Sequence, residues 1–436
     1  TMSGSGTVAS KDVANGQSIT LGSLALVDGT GAASNYLFNS AALNITQRVL
    51  GSSGTRIYDG STNASNSDLT LSNLVGSETL TLSGTGTLTN ANVASNKSVT
   101  LNSLSISNGS SGGLAANYTL SGGSHRLTVS QRAVNVSGTR LYNALNTAVA
   151  SDLSTMTNLV GSQTLVLSNS GTLANANVGS NKTVTIGSLS LANGSNGGLA
   201  ANYTLTGGTH QLTVNQRPLN ATLARQYDAT TTSAGSTLSS FDALQGGEAL
   251  TMSGSGTAAS ANVANGIAMS SNGNLALVDG TGLASNYSLN STVINIAQRV
   301  LNSSGSKTYD GNTNAVASDV TLSNLAGGQS LNHSGTATLG SKNVGSSTIS
   351  NLSGISIANG TGAASNYTLT GGTHNFTVNK RVVNVSGTRL YNALSTAVAS
   401  DLSTMTNLVG SETLVLSNSG TIASKDVGSN KTVTIG

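Results

Sequence analysis

Cysteine and tryptophan are absent from the 436 residues, and proline occurs once. Without thiols the chain has no disulfide, no cysteine nucleophile and no thiolate metal site. Charge is scarce: Asp, Glu, Lys and Arg make 8% of the residues, against about 25% in ordinary soluble domains. Net charge is only +3, and no Lys/Arg cluster occurs, which argues against nucleic-acid binding. No apolar run approaches the ~18–20 residues of a membrane-spanning helix. No signal peptide is visible, and the chain starts at Thr1 instead of Met. Aromatics are 3%, and Gly, Ser, Thr and Asn are abundant, a mixture that superficially suggests disorder. Disordered chains, however, carry high net charge and few large aliphatic residues. Here Leu and Val return at regular intervals, so a folded protein is expected.

What is present is repetition. The phrase ANYTLTGGTHQLTVNQR at 201–217 returns as ANYTLSGGSHRLTVSQR at 116–132 and SNYTLTGGTHNFTVNKR at 365–381. Basic ends recur at Arg48, Arg132, Arg217, Arg299 and Arg381, spaced by 84, 85, 82 and 82 residues. Five tyrosines precede Asp or Asn (Tyr58, Tyr142, Tyr227, Tyr309, Tyr391), and five follow Asn (Tyr36, Tyr118, Tyr203, Tyr287, Tyr367). These marks divide the chain into four repeats, 49–132, 133–217, 218–299 and 300–381. Residues 1–48 are the C-terminal part of a repeat and 382–436 the N-terminal part of another, so a longer protein is expected. A slower period of three repeats lies on top: TMSGSGTVAS at 1–10 returns as TMSGSGTAAS at 251–260, and 383–421 nearly copies 134–172. A fixed period of this length signals a tandem array of small modules.

Within 133–217 the hydrophobic pattern is that of short strands. Val134 and Val136 open a strand, TLVLS at 164–168 alternates, and KTVTIGSLSLANG changes phase at Gly187–Ser188, which predicts a bulge or tight turn. The segment 151–160 fits a short helical turn or a strand equally. Thr206-Gly-Gly-Thr209 reads as a two-residue hairpin turn pairing Tyr203 with Leu212 and Leu205 with His210. Period-2 geometry then puts Tyr203, Leu205, Leu212 and Val214 on the core face. The counterpart NYSLNSTVINIAQR at 286–299 is two residues shorter, which predicts a hairpin centred on Asn290–Ser291 with one residue lost from each arm. The expected fold class is all-β: small antiparallel β-sandwich-like modules in tandem, forming an elongated rod. A β-grasp-like α+β module is the alternative if 151–160 is a true helix. A β-solenoid fits less well, since no sub-period of rung length is found.

No Gly/Ser/Pro-rich tether separates the repeats; HQLTVNQR passes straight into PLNATLARQYD, with the one proline, Pro218, at the joint. The last strand of one repeat is therefore expected to lead directly into the first strand of the next, stiffening the array.

Candidate chemistry is thin. His125, His210 and His374 occupy one repeated position and His333 another, which suits partly buried structural histidines better than metal ligands. The Tyr58-Asp59-Gly60 and Tyr309-Asp310-Gly311 steps read as strand-end turns with a tyrosine plugging the core, because Asn143 and Asn392 replace the aspartate elsewhere. Asp28 and Asp279 stand alone in their LVDGTG loops, whereas calcium loops gather several carboxylates. Repeat 218–299 has no lysine, which excludes Lys–Asn cross-links as a general device. The NYT sequons at Asn117, Asn202 and Asn366 are of a kind that Ser/Thr/Asn-rich sequence produces by chance. Ser, His and acid never converge, so no hydrolase, no cofactor and no metal site is expected.

Taken in order, the Tyr-Asp-Gly step, the KDVGSNKTVTI-type strand at 425–435 and the NYTL segment resemble the YDG/MBG-type repeats of large bacterial surface and biofilm-matrix adhesins. That class is filamentous-haemagglutinin-like and is often exported by two-partner secretion. The resemblance covers the whole chain; Asn at 143 and 392, and Ala229 after Tyr227-Asp228, depart from it. It implies a secreted stalk or fibre segment at the cell surface of a Gram-negative-type bacterium, exported with an outer-membrane partner. The rival expectation is a binding module: repeats that engage exopolysaccharide, host glycan or identical rods weakly, with avidity from number.

Overall fold

The computed structural model describes residues 1–435. The chain folds as two compact units, 1–217 and 218–436. Both are all-β: among the described residues, helix is confined to single 3-10 turns of three residues, and no helix is long and apolar enough to cross a membrane.

Across repeat 133–217 the elements are β1 (Arg132–Ala133), β2 (Asn135–Leu141), β3 (Thr147–Val149), a 3-10 turn (Ala150–Asp152), β4 (Thr155–Thr157), β5 (Leu165–Ser168), β6 (Ser170–Thr172), β7 (Gly179–Thr183), β8 (Ser190–Asn193), a second 3-10 turn (Ala200–Asn202), β9 (Tyr203–Thr204) and β10 (His210–Asn215). The segment left open between helix and strand is thus both in turn. A four-stranded sheet runs β4-β2-β10-β7, backed by the ladders β3–β6 and β5–β8. Most pairs are antiparallel, as expected. The exceptions join the two ends of the repeat: β1 with β9, and β2 with β10, are parallel, the latter from Val136 opposite His210 to Leu141 opposite Asn215. The same parallel pair recurs in repeats 49–132 and 300–381.

Core and register follow from alternation. Tyr203, Leu205, Leu212 and Val214 are all buried, as the period predicts. A fully buried leucine such as Leu212 contributes roughly 1.5–3 kcal/mol through the area it removes from water. Glycine enters where another strand comes too close. A Cβ on Gly138 would lie 1.8 Å from the carbonyl oxygen of Asp152, so only hydrogen there lets the 3-10 turn press on β2. Repeat 218–299 has buried Leu223 at this place and accommodates it with a register shift between Thr222 and Leu223. The predicted phase change at Gly187–Ser188 is a tight turn, with Gly187 at φ +55° and the Leu189 N–H bonded to Ile186 O at 2.9 Å.

The hairpin at Thr206–Thr209 does not form as such. β9 pairs in parallel with β1 (Tyr203 opposite Arg132), and β10 pairs in parallel with β2. The offset between partners grows from 71 to 74 residues, so the Gly-Gly turn is a three-residue excursion within one parallel run. It closes on itself through the Gly208 N–H to Leu205 O at 3.0 Å. In repeat 218–299, two residues shorter here, Tyr287–Ala297 is one unbroken strand with no turn at Asn290–Ser291. The face assignment survives because alternation does not depend on which strand is the partner.

Successive repeats are joined strand to strand. His125–Ser130 passes into Arg132–Ala133 and Asn135–Leu141 with single-residue breaks, and Tyr287–Ala297 passes likewise into Arg299–Val300 and Asn302–Thr308. Arg217–Gln226 is one strand containing Pro218. Only after His374–Asn379 do four residues of irregular chain intervene, before Asn384–Ser386.

Candidate functional site

The site the sequence singles out is the joint between consecutive repeats. Tyr58 directly follows the strand Gly51–Ile57 and is 3% exposed. Its ring stands edge-on to Tyr203 of the following repeat, with centroids 5.4 Å apart and planes at 79°. Such T-shaped pairs are favoured because the positive ring edge meets the negative face. Gln163 joins the two hydroxyls: its Nε2 donates to Tyr58 OH at 3.0 Å, and Tyr203 OH donates to its Oε1 at 2.5 Å. The Val160 N–H donates to Tyr203 OH at 3.0 Å. In the second unit Tyr227 and Tyr367 repeat the pair at 5.3 Å and 80°, with Gln329 as the bridge. Tyr309 donates instead to Glu412 at 2.5 Å. A glutamate also receives the hydroxyls of Tyr118 (Glu78, 2.5 Å) and Tyr287 (Glu248, 2.6 Å). Burial, opposed by the Val160 N–H, lifts the Tyr203 phenol above its ordinary range, and burial with the Glu78 hydrogen bond does so for Tyr118.

Two further kinds of contact cross joints within each unit. Asn202, 1% exposed, accepts the Val93 N–H of the preceding repeat at 2.9 Å and donates to Asn92 Oδ1 at 3.0 Å. Asn366 does the same with Val263 and Asn262, and Asn117 with Val13 and Asp12. The sequon nitrogens Asn202 and Asn366 are therefore sealed inside the joint, with no room for a glycan in the folded array. The basic ends are clamps. Arg132 donates through Nε to Asn158 O at 2.8 Å, through Nη2 to Asn158 Oδ1 at 2.7 Å, and through Nη1 to Tyr58 O at 3.5 Å. Arg299 holds Asn324 and Tyr227 O, and Arg381 holds Asn407 and Tyr309 O, in the same way. The preceding glutamines reach forward too, Gln131 to Ala201 O at 3.2 Å and Gln298 to Ser365 O at 3.1 Å. Apolar packing is continuous through the joint: one core cluster contains Leu223, Tyr227 and Ile294 together with Leu301, Ala326 and Tyr367.

The remaining predicted positions separate cleanly. Tyr142 is a buried plug like Tyr58. Tyr391 departs from expectation: it is 59% exposed, because 382–436 holds only the head of a repeat and no last strand to pack on it. Arg217 opens the strand Arg217–Gln226. His125 and His374 are pinned between a first-strand serine and a loop carbonyl: His125 Nδ1 lies 2.9 Å from Ser52 Oγ and Nε2 2.9 Å from Leu120 O. His210 faces Val136 in place of that serine, and its buried Nδ1 has no partner. His333 braces a 3-10 turn through Ala317 O and Val320 O. Asp28 and Asp279 accept loop N–H groups from Ala33 and Ala284, a task Asn108, Asn193 and Asn359 perform in the other repeats. Asp59 accepts the Ser61 N–H at 2.9 Å, and Asn143 accepts the Leu145 N–H at 3.1 Å, so carboxylate and amide serve the turn alike. Burial pushes the Asp310 carboxyl up, but hydrogen bonds from Lys307 and the Asn312 N–H outweigh it and hold it below the usual carboxylate range. The bridging Gln163, Gln329 and Glu412 and the sealed Asn202 and Asn366 were not picked out from sequence as joint residues. The Asn-Tyr pair in every copy is the signal that could have found the asparagines.

The YDG domain model matches residues 41–126, 125–212, 209–294 and 297–374, most of the chain. The chain belongs to the YDG domain family. Among curated proteins, none matches it. In this YDG chain the signature tyrosine is a joint residue, its aspartate a turn acceptor and its glycine a point of close approach across the joint.

Proposed function

We propose that this YDG array is a structural element: a stiff, non-enzymatic stalk or fibre segment of a secreted bacterial adhesin or matrix protein, held outside a Gram-negative-type cell. The observation that carries the reading is the joint. The pairs 49–132/133–217 and 218–299/300–381 each share packed tyrosines, a bridging glutamine, a sealed asparagine and an arginine clamp, and the tyrosines, asparagines and arginines carry the repeat signature. The parallel first and last strands add to it, since the chain leaves a repeat at the end opposite its entry. A seven-residue strand such as Asn135–Leu141 advances the path by roughly 23 Å. A framework without cysteine suits an array whose stability comes from nearest-neighbour packing. Small-angle scattering on the purified chain tests the reading: an elongated particle is expected, and a compact one would end it.

A further inference from the structure

The residue after Tyr-Asp or Tyr-Asn occupies a left-handed turn whatever its side chain: Gly60 at φ +78°, Ala144 at +62°, Ala229 at +68°, Gly311 at +80° and Ala393 at +60°. Only glycine is free of strain there, so the alternation with alanine calls for a cause. Two joints show one. A Cβ on Gly60 would stand 2.8 Å from Val160 Cγ1 of the next repeat, and a Cβ on Gly311 2.8 Å from Val409 Cγ1. Both are backed by a β-branched side chain that cannot swing away. Ala229 faces a smaller neighbour. The place of Val160 and Val409 is taken by Ala326, which is buried, and Ala229 packs on the same cluster. The fit there is already tight, since a Cβ on Gly327 would lie 3.3 Å from Ala229 Cβ. Glycine therefore meets valine, and Ala229 meets alanine; in the repeat that follows Ala144, the same place, marked by its N–H on the tyrosine hydroxyl, holds the unbranched Gln245.

We propose that this pair is a matching code that decides which repeat can follow which. The interaction surface is the turn after the signature tyrosine. Its partner is the Leu-Val-Gly, Leu-Ala-Gly or Leu-Gln-Gly turn of the succeeding repeat. Glycine turns accept the β-branched valine, alanine turns exclude it, and the array is thereby ordered. The surrounding contacts, the tyrosine pair and the asparagine cap, are shared by both classes and so carry no such information. This assignment stands on the joint geometry and does not depend on the array being a stalk.

The test uses the full chain and residue-resolved hydrogen exchange. The reporter for the second unit is the Val263 N–H, which crosses the joint to Asn366 Oδ1 at 2.9 Å. Ala326→Val should lower its protection roughly tenfold through overpacking, and adding Ala229→Gly should restore it to within about threefold of the parent. In the first unit the reporter is the Val93 N–H on Asn202. Gly60→Ala should lower its protection, and adding Val160→Ala should recover part of the loss, the backbone share remaining. Rescue in either pair that exceeds the sum of the single effects supports the code. Additive effects in both pairs, or an Ala326→Val chain with undiminished Val263 protection, would overturn it. Should Ala326→Val fail to fold, the Gly60 and Val160 set decides alone.

Discussion

Replacing Tyr58 by alanine probes the joint most directly. The ring is 3% exposed, packs edge-on against Tyr203 at 5.4 Å, and its hydroxyl accepts from Gln163 at 3.0 Å. Truncating a buried aromatic to alanine costs about 3–5 kcal/mol, of which an aromatic pair accounts for about 0.5–1.5. Tyr58→Phe keeps ring and packing and loses one amide–hydroxyl bond, a cost of about 1 kcal/mol. The two variants should therefore differ by at least 2 kcal/mol or so. Because repeats of an array open semi-independently, a single melting curve would blur the effect, and hydrogen exchange read residue by residue is the better assay. In Tyr58→Ala, protection should fall on both sides of the joint: at the Val93 N–H, which rests on Asn202, and at the Val160 N–H, which rests on Tyr203. If Tyr58→Ala weakened only amides inside 49–132 and left Val160 untouched, the ring would be a private core plug, and the reasoning about joints would fail.

Three further outcomes are expected. Gly138→Ala forces a Cβ to within 1.8 Å of Asp152 O and should cost about 3 kcal/mol or more in urea titrations; a loss below about 1 would show that the 3-10 turn yields freely. Val136→Ser should be about 1 kcal/mol more stable than Val136→Ala, because the hydroxyl reaches the unpartnered Nδ1 of His210 as Ser52 reaches His125; equal stability of the two variants would count against that pairing. Burial raises the Tyr203 phenol, so its neutral form is favoured in the folded joint. Stability is then untouched below the ordinary tyrosine value of about 10 and is lost as pH rises through the higher folded value. Tyrosinate absorbance followed together with Val160 exchange reads this, and undiminished protection while Tyr203 ionises would contradict it.

Much of the fold was legible because alternation is a local property. Tyr203, Leu205, Leu212 and Val214 face the core whether their strand partner lies nearby or 74 residues back. The partner itself was not legible. A Gly-Gly step between two alternating stretches looks the same as a hairpin turn or as an excursion in a parallel run, and only the long-range ladder separates them. The shortened copy at 287–297 fits both readings equally. The tyrosines and basic ends were visible as a rhythm, but their roles were not. Tyr58 meets Gln163 across 105 residues, and Arg132 meets Tyr58 O across 74, distances at which hydrophobic periodicity is silent. The interchange of Asp59 and Asn143, by contrast, was read correctly from the chain alone, since a turn needs an acceptor and not a charge.

The parallel pairing of Asn135–Leu141 with His210–Asn215 has a mechanical consequence. Tension applied to the two ends of the repeat pulls these strands lengthwise past each other, since one end leads into the first strand and the other leaves from the last. Every rung of the ladder is then strained at once, where an antiparallel hairpin under the same pull would peel open rung by rung. Rupture must break the whole zipper in a single step, so the repeat yields abruptly and late.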